Sequence, residues 1–278
     1  MHADDIGMCE ATLPAFADLM EVGLVQSGAL MVPGPWFREA AHLCRAGGFD
    51  AGVHLTLTAE WDHLRWAPLT TCDPASGLID AEGFFPRSAA QLGNASVEAV
   101  RTELQAQIER AFAAGLAPTH LDAHMHVATL PRFLPAYVEL GIVHGLPALF
   151  PPDRIATAPA QREQLRRALG GVFVEFDTLM QMPLTGNPDD ARLRAEAMFD
   201  ALRPGLNGVL IHPARDTPEL RAIAPDWRHR VQDYEVFRSP SLLQYARERG
   251  ILFIGYRPLR EALRRGSTSG NHPNTAAR

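Results

Sequence analysis

The stretch Thr119-His120-Leu121-Asp122-Ala123-His124-Met125-His126 sets a polar, ligating side chain at every second position. On a β-strand, residues two apart share a face, so His120, Asp122, His124 and His126 would all point the same way. Four such groups facing a packed interior each require a partner, and a metal ion or a polar substrate would supply one. The alternative is the solvated face of an edge strand. Outward from this strand, residues 97–114 before it and 130–140 after it carry apolar side chains at helical spacing. A strand between two such helices is the repeat of an α/β protein.

The same alternation continues along the chain. Short apolar runs at 27–32, 51–57, 148–150, 172–176, 208–212 and 251–255 predict further strands. Amphipathic stretches at 14–22, 35–46, 158–169, 190–202 and 239–249 predict the intervening helices, several starting near Pro or Asp. Repeated βα units imply parallel strands and a deformed (β/α) TIM-like barrel, expected as a single domain over 1–265. Residues 60–92 are rich in Pro, Gly and aromatics and read as an inserted loop over the active-site end. Residues 266–278 lack apolar periodicity and read as a disordered tail.

Composition removes several function classes. The chain has 278 residues, 46% of them hydrophobic, with 26 Lys+Arg against 32 Asp+Glu for a net charge of -6. No basic run is present to neutralise a row of phosphates, so nucleic acid is not an expected partner. Cys9, Cys44 and Cys72 are an odd number without CxxC spacing, which points away from a disulfide framework and towards a reducing cytoplasm. No apolar run approaches the roughly 20 residues that span a bilayer.

Three other segments carry chemistry-bearing residues. Gly52-Val53-His54-Leu55 sets a histidine inside an apolar strand, where a hydrogen-bonded core histidine is the usual reading. Asp4-Asp5 in His2-Ala3-Asp4-Asp5-Ile6-Gly7 stands where a strand should end, although an isolated Asp-Asp is usually a turn or helix cap. The strand expected ahead of that pair is absent, so a first strand missing or truncated, through a late-assigned start or removal of an upstream segment, is the expectation. Ile211-His212-Pro213 ends a strongly apolar strand with a histidine, and strand ends are where barrels keep catalytic residues. Two imidazoles and a carboxylate from different strand ends form an open, facial metal site with room for water and substrate.

In these four places, taken in order, the sequence resembles the YdjC-like carbohydrate deacetylases, a family that includes chitooligosaccharide and hopanoid-associated members. The resemblance runs through most of the chain. It implies a barrel-like fold, one divalent metal ion, magnesium or zinc, held by Asp5, His54 and His124, and removal of an acetyl group from an N-acetylated sugar or oligosaccharide. It further implies Asp4 as catalytic base and His212 as acid, although the adjacent Asp4 and Asp5 can exchange the roles of base and ligand through a small backbone rotation. Two departures stand out: the missing apolar strand before Asp4, and Val127-Ala128 where relatives often carry a further histidine. A homodimer is expected by analogy with the family alone.

The residues themselves fit amide hydrolysis, which needs an activated water, a stabilised oxyanion and a protonated leaving amine. His120, Asp122 and His126 are expected to orient ligands or touch sugar hydroxyls, with Asp122 open as a direct ligand. Within Glu60-Trp61-Asp62-His63-Leu64-Arg65-Trp66, Arg65 and Trp66 are the expected substrate contacts, while Trp61 serves equally well as a loop anchor. Competing readings are another barrel metallohydrolase, a sugar isomerase using the same ligands, and an inactive sugar-binding relative.

Overall fold

A computed structural model describes residues 1–149, 173–174 and 176–269. Its centre is one curled sheet of eight strands in the order β6-β5-β4-β3-β2-β1-β8-β7. The strands are β1 His2–Ile6, β2 Ser27–Leu30, β3 Ala51–Leu55, β4 Leu121–Ala123, β5 Ala148–Leu149, β6 Phe173–Val174, β7 Thr178–Gln181 and β8 Asn207–Ile211. Every neighbouring pair in that order is parallel. Parallel strands need long crossovers, and the helices α1 Thr12–Val22, α2 Phe37–Gly47, α3 Val97–Ala113, α4 Leu134–His144 and α5 Ala191–Asp200 lie between successive strands, whereas α6 Pro218–Ile223, α7 Trp227–Phe237, α8 Pro240–Glu248 and α9 Tyr256–Ser269 follow β8. This is the α/β, deformed TIM-like architecture that the alternation predicts.

The helices pack by their apolar stripes. On α1, Thr12, Ala15, Phe16 and Leu19 are buried, and the helix stops at Gly23, which takes the left-handed conformation that a Cβ disfavours. Phe16 lies so close to β2 that a Cβ on Gly28 would meet its ring at 2.6 Å. Ala3, Ile6, Leu30, Val53, Leu55, Leu121 and Ile211 join these residues in one continuous core.

Several expectations are corrected. The first strand is not missing. His2–Ile6 is itself the strand, pairing His2 with Ser27 on one side and with Leu210 on the other. The acidic pair lies within it rather than after it, because a bulge between Ala3 and Ile6 accommodates two adjacent carboxylates. Residues 251–255 form no strand: Leu252 is 89% exposed, and the segment turns past Asp50, whose Oδ2 accepts the Arg257 N–H at the start of α9. α9 continues to Ser269, into the segment expected to be a tail. The predicted helix at 158–169 and residue 150 of the predicted strand 148–150 lie outside the described residues, as do 172 and 175 of the strand predicted at 172–176.

Candidate metal centre and active site

The functional side chains gather at the C-terminal ends of β1, β3, β4 and β8. In an unbroken strand Asp4 and Asp5 would face opposite ways. Here Asp5 adopts φ 61°, a left-handed conformation that Asp tolerates better than most residues, and both carboxylates line one cavity. His54 is the fourth residue of β3 and arrives beside them. β4 ends at Ala123, and His124 opens a tight 3-10 turn in which Met125 and His126 both take positive φ. The every-second-residue alternation therefore stops at His124. His126 reaches the cavity wall through the turn instead.

Asp5 Oδ1, His54 Nε2 and His124 Nδ1 converge. The carboxylate oxygen is 3.2 Å from His54 Nε2 and 3.0 Å from His124 Nδ1, and the two ring nitrogens are 3.3 Å apart. Nitrogen and oxygen donors about 2.0–2.1 Å from a tetrahedral zinc ion are separated by about 3.3–3.4 Å. One carboxylate and two imidazoles at this spacing fit a divalent cation, and the three side chains are at most 7% exposed.

Each of the three is held from behind. Arg230 Nη1 donates to Asp5 Oδ2 at 2.8 Å, leaving Oδ1 for the centre. His54 Nδ1 lies 2.8 Å from Asp122 Oδ2. His124 Nε2 is 3.0 Å from Glu60 Oε2. Asp122 thus faces the edge of the His54 ring opposite Nε2. His120 lies deeper, against Thr119 Oγ1 at 2.9 Å and stacked on Tyr256 at 3.8 Å between ring centres, so it touches none of the three.

Electrostatics follows from burial against these partners. Burial opposes charge on Asp5, but Arg230 and then His124 override it and hold the carboxyl well below the usual range. Burial would lower His124; Glu60 and Asp5 outweigh it and raise the imidazole to about 9. His54 is raised well above its ordinary value in the same way, burial being overcome chiefly by Asp122. A divalent cation would compete with protons for both rings.

In the same cavity lining, His212 Nε2 is 3.8 Å from Asp4 Oδ2, and His2 Nε2 is 3.1 Å from Asp4 Oδ1. Burial lowers the His212 pKa, and the residue's backbone N–H is tied to Asp233 Oδ2 at 2.9 Å. The cavity that Asp4, His212 and the cluster line has a volume of about 410 Å³. Trp61 and Trp66 form part of its wall, Trp66 fixed by its Nε1 donating to the Thr58 carbonyl at 2.7 Å.

Arg65 is placed elsewhere. Its side chain is 4% exposed, pairs with Asp80 at 2.6 Å and Glu82 at 2.8 Å, and donates to the Phe85 carbonyl at 2.6 Å. It staples the 60–92 segment to itself and does not line the cavity. Sequence reasoning did not single out Glu60, Arg230, Asp233 or His2 for a role. A lone carboxylate in the loop after β3 gives no signal by itself, but the positions of Glu60 beside Trp61 and of His2 beside the acidic pair could have marked those two.

The model of the family described as YdjC-like protein matches residues 1–248. A protein of Thermus thermophilus named carbohydrate deacetylase is 35% identical, covering 95% of this chain and 94% of its own length. Its namesake from Thermoanaerobacter pseudethanolicus is 25% identical over 92% and 96% of the two chains. Among solved structures, an Enterococcus faecalis protein described as a putative cellobiose-phosphate cleavage protein superposes with a TM-score of 0.77 at 23% identity, over 93% of this chain and 97% of that one, a likeness of fold. With the fold, the clustered Asp and His residues and the matched length in agreement, this chain belongs to the YdjC-like family.

Proposed function

We propose that this protein is a metal-dependent hydrolase that removes the acetyl group from an N-acetylated sugar or oligosaccharide. The observation that carries the reading is the convergence of Asp5, His54 and His124 at a cavity that Asp4 and His212, 3.8 Å apart, also line. Relatives named carbohydrate deacetylase over nearly the whole length support the substrate class. Two imidazoles and one carboxylate suit zinc or another first-row transition ion better than magnesium, which prefers oxygen donors and retained waters.

Asp5, His54 and His124 would hold the cation, whose chemistry when bound is to acidify water and polarise an amide carbonyl. His2 engages Asp4 Oδ1, which leaves Oδ2 towards the cavity to take the proton of the attacking water. His212 gives a proton from Nε2 to the departing sugar nitrogen. Its burial-lowered pKa makes the imidazolium a stronger acid, and the Asp233 bond to its backbone fixes the ring's origin. Trp61 and Trp66 offer apolar faces to a sugar ring and narrow the access of bulk water. His126, also in the wall, would meet a sugar hydroxyl.

The test is acetate release from N-acetylglucosamine oligomers by protein loaded with zinc, cobalt or magnesium, beside Asp4→Asn and His124→Ala. Asp4→Asn is expected to lower kcat by about 10²–10⁴-fold, the usual worth of a positioned base, with metal affinity retained. His124→Ala should lose both metal and activity. Folded, metal-loaded protein that releases no acetate from these sugars would remove the deacetylase reading.

A further inference from the structure

Glu60 begins the 60–92 segment, and it meets the metal centre from outside. Its Oε2 is 3.0 Å from His124 Nε2, on the opposite edge of the ring from Nδ1, the atom that faces Asp5 and His54. The carboxylate is largely enclosed, its side chain 22% exposed, and burial works against its charge; His124 and then Thr58 nevertheless keep it below the usual carboxylate range. The next residue, Trp61, lies against Arg230, with 5.1 Å from the guanidinium carbon to the ring centre, and Arg230 holds Asp5. One dipeptide in the cavity wall therefore reaches the outer side of two of the three ligands.

We propose that Glu60 is a positioning residue for the metal centre. By accepting the Nε2–H of His124 it selects the tautomer with a free lone pair on Nδ1 and fixes the ring's rotation, as carboxylates behind ligating histidines do. Asp122 stands behind His54 in the corresponding place. The difference between them is structural: Asp122 belongs to β4 in the sheet, whereas Glu60 belongs to the segment that walls the sugar cavity. Through Glu60, the order of that wall and the hold on the cation are one property.

The inference rests on the metal-centre reading, and zinc affinity separates the two. Zinc binding to the full-length protein is measured by competition with a chromophoric chelator for the parent, Glu60→Ala and Glu60→Gln, with kcat and KM at fixed and at saturating zinc. Loss of such an orienting partner commonly weakens metal binding about 10–100-fold. Glu60→Ala is expected to fall in that range, Glu60→Gln to shift the same way by a smaller factor, and saturating zinc to restore most of kcat. Unchanged zinc affinity in Glu60→Ala overturns the proposal, because a carboxylate that merely anchors the loop would leave that constant alone. If Glu60→Ala does not fold, the isosteric Gln variant decides in the same way. A parent that binds no divalent cation fails the metal-centre reading itself.

Discussion

Asp233 shows how one buried carboxyl ties proton chemistry to stability. Burial pushes it up to about 7, against the restraining effect of the His212 N–H and Arg230, while an exposed Asp titrates near 3.9. Between those values the folded protein keeps a proton that the unfolded chain has released. The stabilising contribution is complete below about pH 4 and is lost as pH rises through 7. Asp233→Asn retains an acceptor for the His212 N–H but cannot titrate, so urea midpoints from pH 5 to 8 should fall less steeply than in the parent. Parallel slopes would show that Asp233 keeps its ordinary affinity for protons. The residues most legible in the sequence are those that break a pattern: His54 in an apolar strand, and Asp122 and His124 in alternation. Arg230 and Asp233 were illegible because charged residues on a helix ordinarily read as a solvent-facing side, whereas α7 turns both inward, to 4% and 1% exposure.

At the scale of elements, the 60–92 segment is held by a neighbouring helix as well as by its own contacts. Glu103 of α3 is fully buried and accepts the backbone N–H groups of Leu69 and Thr70 and the Thr70 hydroxyl, at 2.7–3.1 Å. Glu103→Ala would leave those donors without their acceptor, at about 1–3 kcal/mol for each one that stays buried. We expect a loss of roughly 2–4 kcal/mol in unfolding free energy by that accounting, with faster proteolytic cutting within 60–92 and a raised KM. Cutting at the parent's rate would mean that Arg65 and its acidic partners suffice to hold the segment. Helices α1, α2, α3, α5 and α8 lie close to where apolar spacing puts them, and their ends differ by a residue or two, as caps and frayed turns do. The segment 251–255 misled because strand formation requires a neighbour, and apolar composition alone does not provide one. β1 misled in the other direction. Adjacent carboxylates contradict the pattern of a buried strand, and only the bulge reconciles them.

For the molecule as a whole, the centre crowds Asp5, Asp122 and Glu60 around two histidines in a largely buried space. A ligand that binds the folded chain alone adds RT ln(1 + [L]/Kd), which is about 2.7 kcal/mol at one hundred times Kd. For a chain of this size that corresponds to a rise of roughly 4–5 °C in Tm. Differential scanning calorimetry with and without zinc should show it in the parent and not in His124→Ala. Equal shifts in both proteins would place the stabilising cation elsewhere. Among the described residues, no helix is long and apolar enough to cross a membrane.

The sheet order gives this molecule a division of labour. The proposed ligands and acid–base pair come from the ends of β1, β3, β4 and β8, whereas among the described strands β5, β6 and β7 contribute only Gln181, at the end of β7, to the cavity wall. The proposed reaction chemistry thus occupies the middle of the strand order, from β4 to β8, with β6 and β5 beyond it at one edge and β7 at the other. A designer seeking a different acetylated sugar has a place to begin: Gln181 lines the cavity from an edge strand that carries none of the proposed ligands, so it can be varied while those ligands are left untouched.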